Sequence, residues 1–152
     1  MEITKLPETI LAKRVKEASL SDIKAGRYDQ LILEMKQAMK ENHGVGLAAN
    51  QINHDLQLFV IDTKTAEAFK VPEAYFNPEI TEYSKDIDDL DEGCLSIPGY
   101  FIPISRSKKI MFKAIDEKGN KLKFKAKGFL ARVFQHETDH LNGMTIKDRV
   151  LF

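Results

Sequence analysis

Two histidines four residues apart, with a glutamate directly after the first, stand in the segment Gln135-His136-Glu137-Thr138-Asp139-His140. On an α-helix this spacing puts both imidazoles on one face, a turn apart, with the carboxylate beside them: the HExxH arrangement of a catalytic metal site. The segment must therefore be helical, and its helix must face a space that a third ligand and a substrate can reach. A catalytic zinc-type centre takes three protein ligands and keeps one position open. The identity of the third ligand decides what kind of hydrolase this chain is.

The flanking pattern supports that helix. Leu130, Val133, Phe134, Glu137 and Leu141 recur at spacings of three and four across Phe129 to Leu141, and Gly143 follows as a stop. Tyr28 to Asn42 reads as a second, amphipathic helix with Leu31, Met35, Ala38 and Met39 on one face. Leu56 to Asp62 and Ala74 to Ile80 read as strands, the latter interrupted late by Pro78. Lys109 to Asp116 and Lys121 to Lys127 read as a hairpin around Glu117-Lys118-Gly119-Asn120, because Leu122, Phe124 and Ala126 alternate with four lysines. The acidic stretch Asp86 to Glu92 is expected as a solvated loop. Leu6 to Ser19, irregular in pattern, is expected to wrap the domain rather than form its core. No repeat, low-complexity tract or long linker divides the 152 residues, so one domain is expected. Strands grouped ahead of one central helix argue for an α+β fold, with antiparallel or mixed sheets around the metal-binding helix.

Composition removes several function classes. The 23 basic and 23 acidic residues balance, so the total charge gives no electrostatic footprint for nucleic acid or an anionic membrane, and direct nucleic-acid binding is not expected. No apolar run approaches the roughly 18 residues of a membrane span, and the N-terminus lacks the basic-then-apolar pattern of a secretory signal. The single cysteine, Cys94, excludes an internal disulfide and suits a reducing compartment. A cytoplasmic or organelle-interior location is expected.

A third histidine soon after His140 would complete a peptidase-type site, but none follows, and His43 and His54 lie at a helix end and in a polar turn, where surface roles are commoner. Cys94 is the better candidate, since a thiolate is a strong ligand for a borderline-soft divalent ion. It stands in Glu92-Gly93-Cys94-Leu95-Ser96-Ile97-Pro98, with a glycine that lets the backbone approach something closely. Two other readings remain open at this stage: a small buried hydrophobe, or the nucleophile of a Cys–His pair, which would need neither the second histidine nor Glu137. A third segment, Gly44-Val45-Gly46-Leu47-Ala48-Ala49-Asn50-Gln51, lacks the spacing and lysine of a phosphate loop. Its small residues ending in an amide donor suit a peptide-binding edge with an oxyanion contact.

Together these three segments, GVGLAANQ (Gly44 to Gln51), EGCLS (Glu92 to Ser96) and QHETDHLNG (Gln135 to Gly143), resemble the signatures of the peptide deformylases, in that family's order and spacing. The resemblance implies a hydrolase that removes the N-formyl group from the starting methionine of newly made polypeptides and releases formate. It implies one divalent metal ion, Fe2+, with Zn2+, Ni2+ or Co2+ as substitutes, bound by Cys94, His136 and His140. Water activated at the metal would attack the formyl carbon, with Glu137 as general acid/base and Gln51 and the Leu95 N–H holding the oxyanion. The peptide would lie extended along Val45 and Gly46, near Gly93, and its methionine side chain would enter a pocket beside Val133 and Leu130. Transient contact with the ribosome, no membrane association and a monomeric state are the corresponding expectations for partners.

The chain also departs from the family pattern. Asn50 occupies a variable position that is often proline, Phe101 stands where relatives often carry an arginine, and few residues follow Gly143. The short tail makes ribosome docking through a C-terminal extension doubtful. Arg106 stands where the family commonly pairs an arginine with the glutamate of EGCLS, so a Glu92–Arg106 ion pair is expected to brace the cysteine loop. A general zincin-type metallopeptidase would explain HExxH but neither Cys94 nor Gln51. A structural metal site would normally have a fourth protein ligand, and none is evident.

Overall fold

The computed structural model describes residues 2–150. The expected C-terminal helix, α4 (Phe129–Leu141), runs through the middle of the molecule, and of its thirteen residues only Phe129 and His136 are not buried. A helix buried on nearly every side must be enclosed by other elements, which also have to satisfy its polar groups. A five-stranded antiparallel sheet, in the order β1-β2-β3-β6-β7, closes one side; its strands are β1 (Gly46–Ala48), β2 (Leu58–Ile61), β3 (Ala74–Tyr83), β6 (Lys109–Ile115) and β7 (Lys121–Lys127). A two-stranded sheet of β4 (Ile87–Cys94) and β5 (Ile97–Ser107) closes another side.

Strand alternation divides the large sheet into two cores. Phe59, Ile61, Tyr75, Ile110, Phe112, Ala114 and Ala126 face α4 and meet Leu130, Ala131 and Phe134. The Phe134 ring stacks on Phe112 with centroids 4.2 Å apart and meets Tyr75 edge-on at 4.9 Å. From the other face Leu58, Val60, Ala74 and Phe76 pack against Ile32, Met35, Ala38 and Met39 of α2 (Asp29–Glu41). All four residues of β2 are buried because both of its faces are covered. In β7 the lysines alternate outward with Leu122, Phe124 and Ala126, as the hairpin pattern requires. Short helices α1 (Leu20–Lys24) and α3 (Thr63–Phe69) and three 3-10 turns join these elements, and among the described residues no helix is long and apolar enough to cross a membrane.

Three expectations need correction. The acidic stretch Asp86 to Glu92 is not a loop but most of β4. Its partner β5 supplies Ile102 and Ile104, and three of its four acids are engaged: Asp88 and Glu92 bind Arg132, and Asp89 accepts from Ser105 Oγ. Tertiary partners here override a poor strand composition. β3 continues past Pro78 to Tyr83 because the register shifts between Phe76 and Glu79, so the residue without an N–H falls in a bulge. The segment Leu6 to Ser19 does wrap the molecule, yet Leu11 and Val15 are fully buried, so it contributes to the core as well.

That strap is tied down by Gln57. The side-chain amide, itself buried, donates to Val15 O at 3.0 Å and to Leu141 O at 2.9 Å, joining the N-terminal segment to the end of α4. Gln57→Ala leaves both carbonyls without this donor. It is expected to cost about 2–4 kcal/mol, seen as a Tm lower by on the order of 10 °C. A loss below about 1 kcal/mol would mean that water replaces the amide.

Candidate active site

Cys94 ends β4 where a register shift follows Gly93, and the turn at Leu95–Ser96 leads into β5. This brings the thiol to α4. Cys94 Sγ lies 3.2 Å from His140 Nε2, and His140 Nε2 lies 3.2 Å from His136 Nε2. The three ligand atoms fall within 4.8 Å of one another. Tetrahedral bonds of about 2.0–2.3 Å to nitrogen and sulfur imply ligand-to-ligand edges of roughly 3.3–3.6 Å, so the donor set fits a small divalent ion. Burial and the neighbouring positive groups hold His140 well below the usual imidazole range, which leaves it neutral and able to ligate.

The electrostatics point the same way. Burial alone would depress His136, but the Glu137 charge and the hydrogen bonds to Cys94 and Glu92 raise its pKa far above the ordinary value. The cluster thus favours a positive charge among its donors, the kind of charge a bound metal cation would bring. Burial pushes the Glu137 carboxyl up to about 7, against the pull of His136. Glu137 Oε1 is buried without a hydrogen-bond partner, so one carboxylate oxygen is uncommitted beside the ligand atoms.

His136 is oriented from behind. Its Nδ1 lies 2.8 Å from Glu92 Oε1. Arg106 grips Glu92 with Nε to Oε2 at 3.0 Å and an Nη to Oε1 at 2.9 Å, and reaches Asp139 at 2.6 Å. The expected Glu92–Arg106 pair therefore forms. A second guanidinium was not anticipated. Arg132, one turn before His136, also binds Glu92 and is held by Ile104 O at 3.0 Å and Asp88 Oδ1 at 2.9 Å. Its signal in the sequence was an arginine set among Leu130, Ala131, Val133 and Phe134, one turn before His136. Arg149 completes the chain by binding Asp139 at 3.1 and 2.9 Å.

The first segment delivers Gln51 to the same place, in a 3-10 turn at Ala49–Ile52 following β1. Gln51 Oε1 accepts from the Ala48 N–H at 3.0 Å, which aims Nε2 at Ser96 Oγ, 3.2 Å away, and Cys94 Sγ, 3.6 Å away. Asn50, the departure from proline, is buried and donates to His140 O at 2.6 Å. Two glycines permit close approaches. A Cβ on Gly46 would stand 2.6 Å from Glu137 Oε2, and one on Gly93 would collide with the Phe101 ring.

A cavity of about 880 Å³ opens onto these groups, lined on one side by Gly44, Val45 and Gly46 and on the other by Gly93, Cys94, Leu95 and Phe101. Phe129, Arg132, Val133, His136 and Glu137 form its floor. Leu130 is not part of that lining and belongs to the core against the sheet. A helix turns about 100° per residue, so positions 129, 133 and 136 share a face that 130 leaves. Phe129, 47% exposed, takes the place expected of Leu130. His43 is exposed at the cavity rim, and His54 is exposed away from it.

A model of the polypeptide deformylase family matches residues 1–151. The chain belongs to the polypeptide deformylase family. The peptide deformylase of Dictyoglomus turgidum is 43% identical over 151 residues, which are 99% of this chain and 93% of the relative. The crystal structure of the Thermotoga maritima peptide deformylase superposes with a TM-score of 0.89 at 36% identity, covering 99% and 97% of the two chains. That of a class I type b peptide deformylase from Acinetobacter baumannii bound to Met-Ala-Ser does so at 0.88 and 29%, covering 99% and 98%. As a peptide deformylase this chain is a hydrolase that removes the N-formyl group from nascent polypeptides. The zincin-type peptidase and structural-metal readings fall away.

Removing Arg106 tests the brace. Arg106→Leu leaves Glu92 and Asp139 short of a buried partner and is expected to cost about 3–5 kcal/mol at neutral pH. The pH dependence has a definite sign. Burial would raise Glu92, but the His136 hydrogen bond and the Arg106 guanidinium hold it well below its ordinary 4.5. Between the folded and unfolded values the unfolded chain binds more protons, so this contribution is present at neutrality and lost as pH falls below about 4.5. Urea titrations should give wild-type stability that falls on acidification through this range and a shallower fall in Arg106→Leu. Equal stability of the two proteins at neutral pH would refute the brace.

Proposed function

We propose that Cys94, His136 and His140 hold one divalent ion, Fe2+ in the native protein and replaceable by Zn2+, Ni2+ or Co2+, and that this centre acts with Glu137 on formyl-methionyl peptides. The observation carrying this reading is the convergence, at one end of one cavity, of a lone thiol, two imidazoles, an uncommitted carboxylate oxygen and an amide donor. Such an ion would supply Lewis acidity, polarising a carbonyl and acidifying water.

The protein groups do the rest. Glu137, with a pKa near 7, takes a proton from the attacking water at a carboxylate oxygen and passes it to the departing amine nitrogen. Gln51 Nε2 and the Leu95 N–H donate to the formyl oxygen as negative charge builds there, a contribution of about 3 kcal/mol per donor in comparable sites.

The edge of β1 receives the peptide. Ile61, opposite Gly46, turns its N–H to Glu73 O at 2.8 Å on the far side, so Gly46 directs its own N–H and C=O to the open edge, where an extended chain can pair. Val45 and Gly93 flank that path, and the methionine side chain enters between Phe129 and Val133. Phe101, at the cavity wall, leaves no guanidinium for the substrate backbone at that position. We infer one catalytic domain acting as a monomer in the cytoplasm, a reading supported by the lone thiol and by a nascent-chain substrate.

Anaerobically purified protein is expected to release formate from formyl-Met-Ala-Ser, and Glu137→Ala to lower kcat by about 10²–10⁴-fold while retaining its metal. No formate with iron, cobalt or nickel bound would overturn the reading. Val133→Phe should lower the kcat/KM ratio of formyl-Met over formyl-Ala peptides, and an unchanged ratio would remove Val133 from the pocket's selectivity.

A further inference from the structure

The zero net charge of this chain is a sum over a polarised molecule. Residues 108–127 contain eight lysines and two acids, Asp116 and Glu117, so this segment carries +6 and the remainder −6. The hairpin displays most of that charge on one surface. Lys109, Lys113, Lys121, Lys123, Lys125 and Lys127 are all exposed, and cross-strand register puts them on one face with Met111 and Ile115. Helix α2 covers this side of the sheet only as far as Ile115, which leaves the lysines open to solvent. Among the described residues none of the eight forms an ion pair with a protein carboxylate; on β3, Glu79 stands opposite Lys113 and Glu82 opposite Met111, so two acids share the face on that side and the like-charge pairs are those between β6 and β7.

Protection of the β7 edge against strand pairing would account for charge, but not for this charge. Lys109 and Lys113 lie on the interior strand β6 and stand directly opposite Lys127 and Lys123. Like charges in such positions destabilise a sheet, whereas lysine opposite glutamate would be equally soluble and attractive. A face that accepts this repulsion suits a partner bringing its own fixed negative charges. Lysines recur about 6.8 Å apart along a strand and about 4.8 Å across the pair, a planar array suited to a phosphate backbone.

We propose that the β6–β7 lysine face docks on the phosphate surface of structured RNA. The substrate chemistry favours RNA over other polyanions, since a nascent polypeptide is presented by an RNA-rich particle. A lipid surface is less well matched, because the only apolar side chains on the face, Met111 and Ile115, are half-buried and none projects for insertion. The face also lies near the active-site mouth. Lys127 is two residues from Phe129, which lines the cavity, so their Cα atoms are within about 7.6 Å. RNA seated on the lysines would hold the mouth beside the emerging chain.

Fluorescence anisotropy with a labelled RNA stem-loop tests this. The wild-type protein should bind with a log–log salt slope on the order of −3 to −5, losing roughly 60- to 1000-fold in affinity between about 50 and 200 mM salt. Replacing Lys109, Lys113, Lys123 and Lys125 by glutamate should abolish binding, and replacing the same four by glutamine should weaken it by roughly tenfold or more. Formate release from formyl-Met-Ala-Ser should be unchanged in both, since none of the four lines the cavity. The glutamine variant keeps the test open should charge reversal impair folding. Absence of RNA binding at about 50 mM salt, equal binding by the glutamine variant, or tighter binding to phosphatidylglycerol vesicles or polyglutamate than to RNA would each overturn the proposal. Failure of formate release would instead count against the catalytic reading.

Discussion

Everything near the metal ligands depends on one buried carboxylate. Glu92 accepts from His136, Arg106 and Arg132 at once, and these donors come from different elements, β5 and two positions of α4. A carboxylate in such surroundings would be costly without cations. With them it fixes the imidazole orientation and joins the two-stranded sheet to the central helix in the same contact. The chain continues through Arg106 and Asp139 to Arg149, so charge near the ligands is balanced by groups reaching out to the C-terminal turn.

The site and the fold were not equally legible in the sequence. The two histidines and Glu137 declared themselves because a helix turns short spacing into geometry. Cys94 and Gln51 came within reach through chemistry, as the lone thiol and as an amide ending a run of small residues. Arg132 escaped because its partner, Glu92, is forty positions away and no local pattern connects them. Leu130 and Phe129 were exchanged for a related reason: both are large and apolar, and only the direction of the sheet decides which neighbour faces the cavity.

The acidic strand is the clearest case of information carried elsewhere. Ile87 to Cys94 contains four acids and a glycine, a composition that locally favours a loop. It pairs because β5 offers an extended partner and because Arg132 and Arg106 neutralise Asp88 and Glu92. The hairpin of β6 and β7, with its strict alternation, needed no such help. The zero total charge hides a similar sorting, since adding up residues conceals how the fold separates the lysines of β6 and β7 from the acids elsewhere.

The position of α4 in the chain has a consequence for biosynthesis. The aromatic face of the large sheet has its partner, Phe134, in the last long element, so that face of the strands stays uncovered by α4 until about residue 141 has been made. Contacts this distant in sequence close slowly and leave apolar surface exposed meanwhile. A growing chain of this protein can therefore bury the α2 side of its sheet early, but it completes the aromatic core and brings Cys94 to His136 and His140 only once α4 has been made.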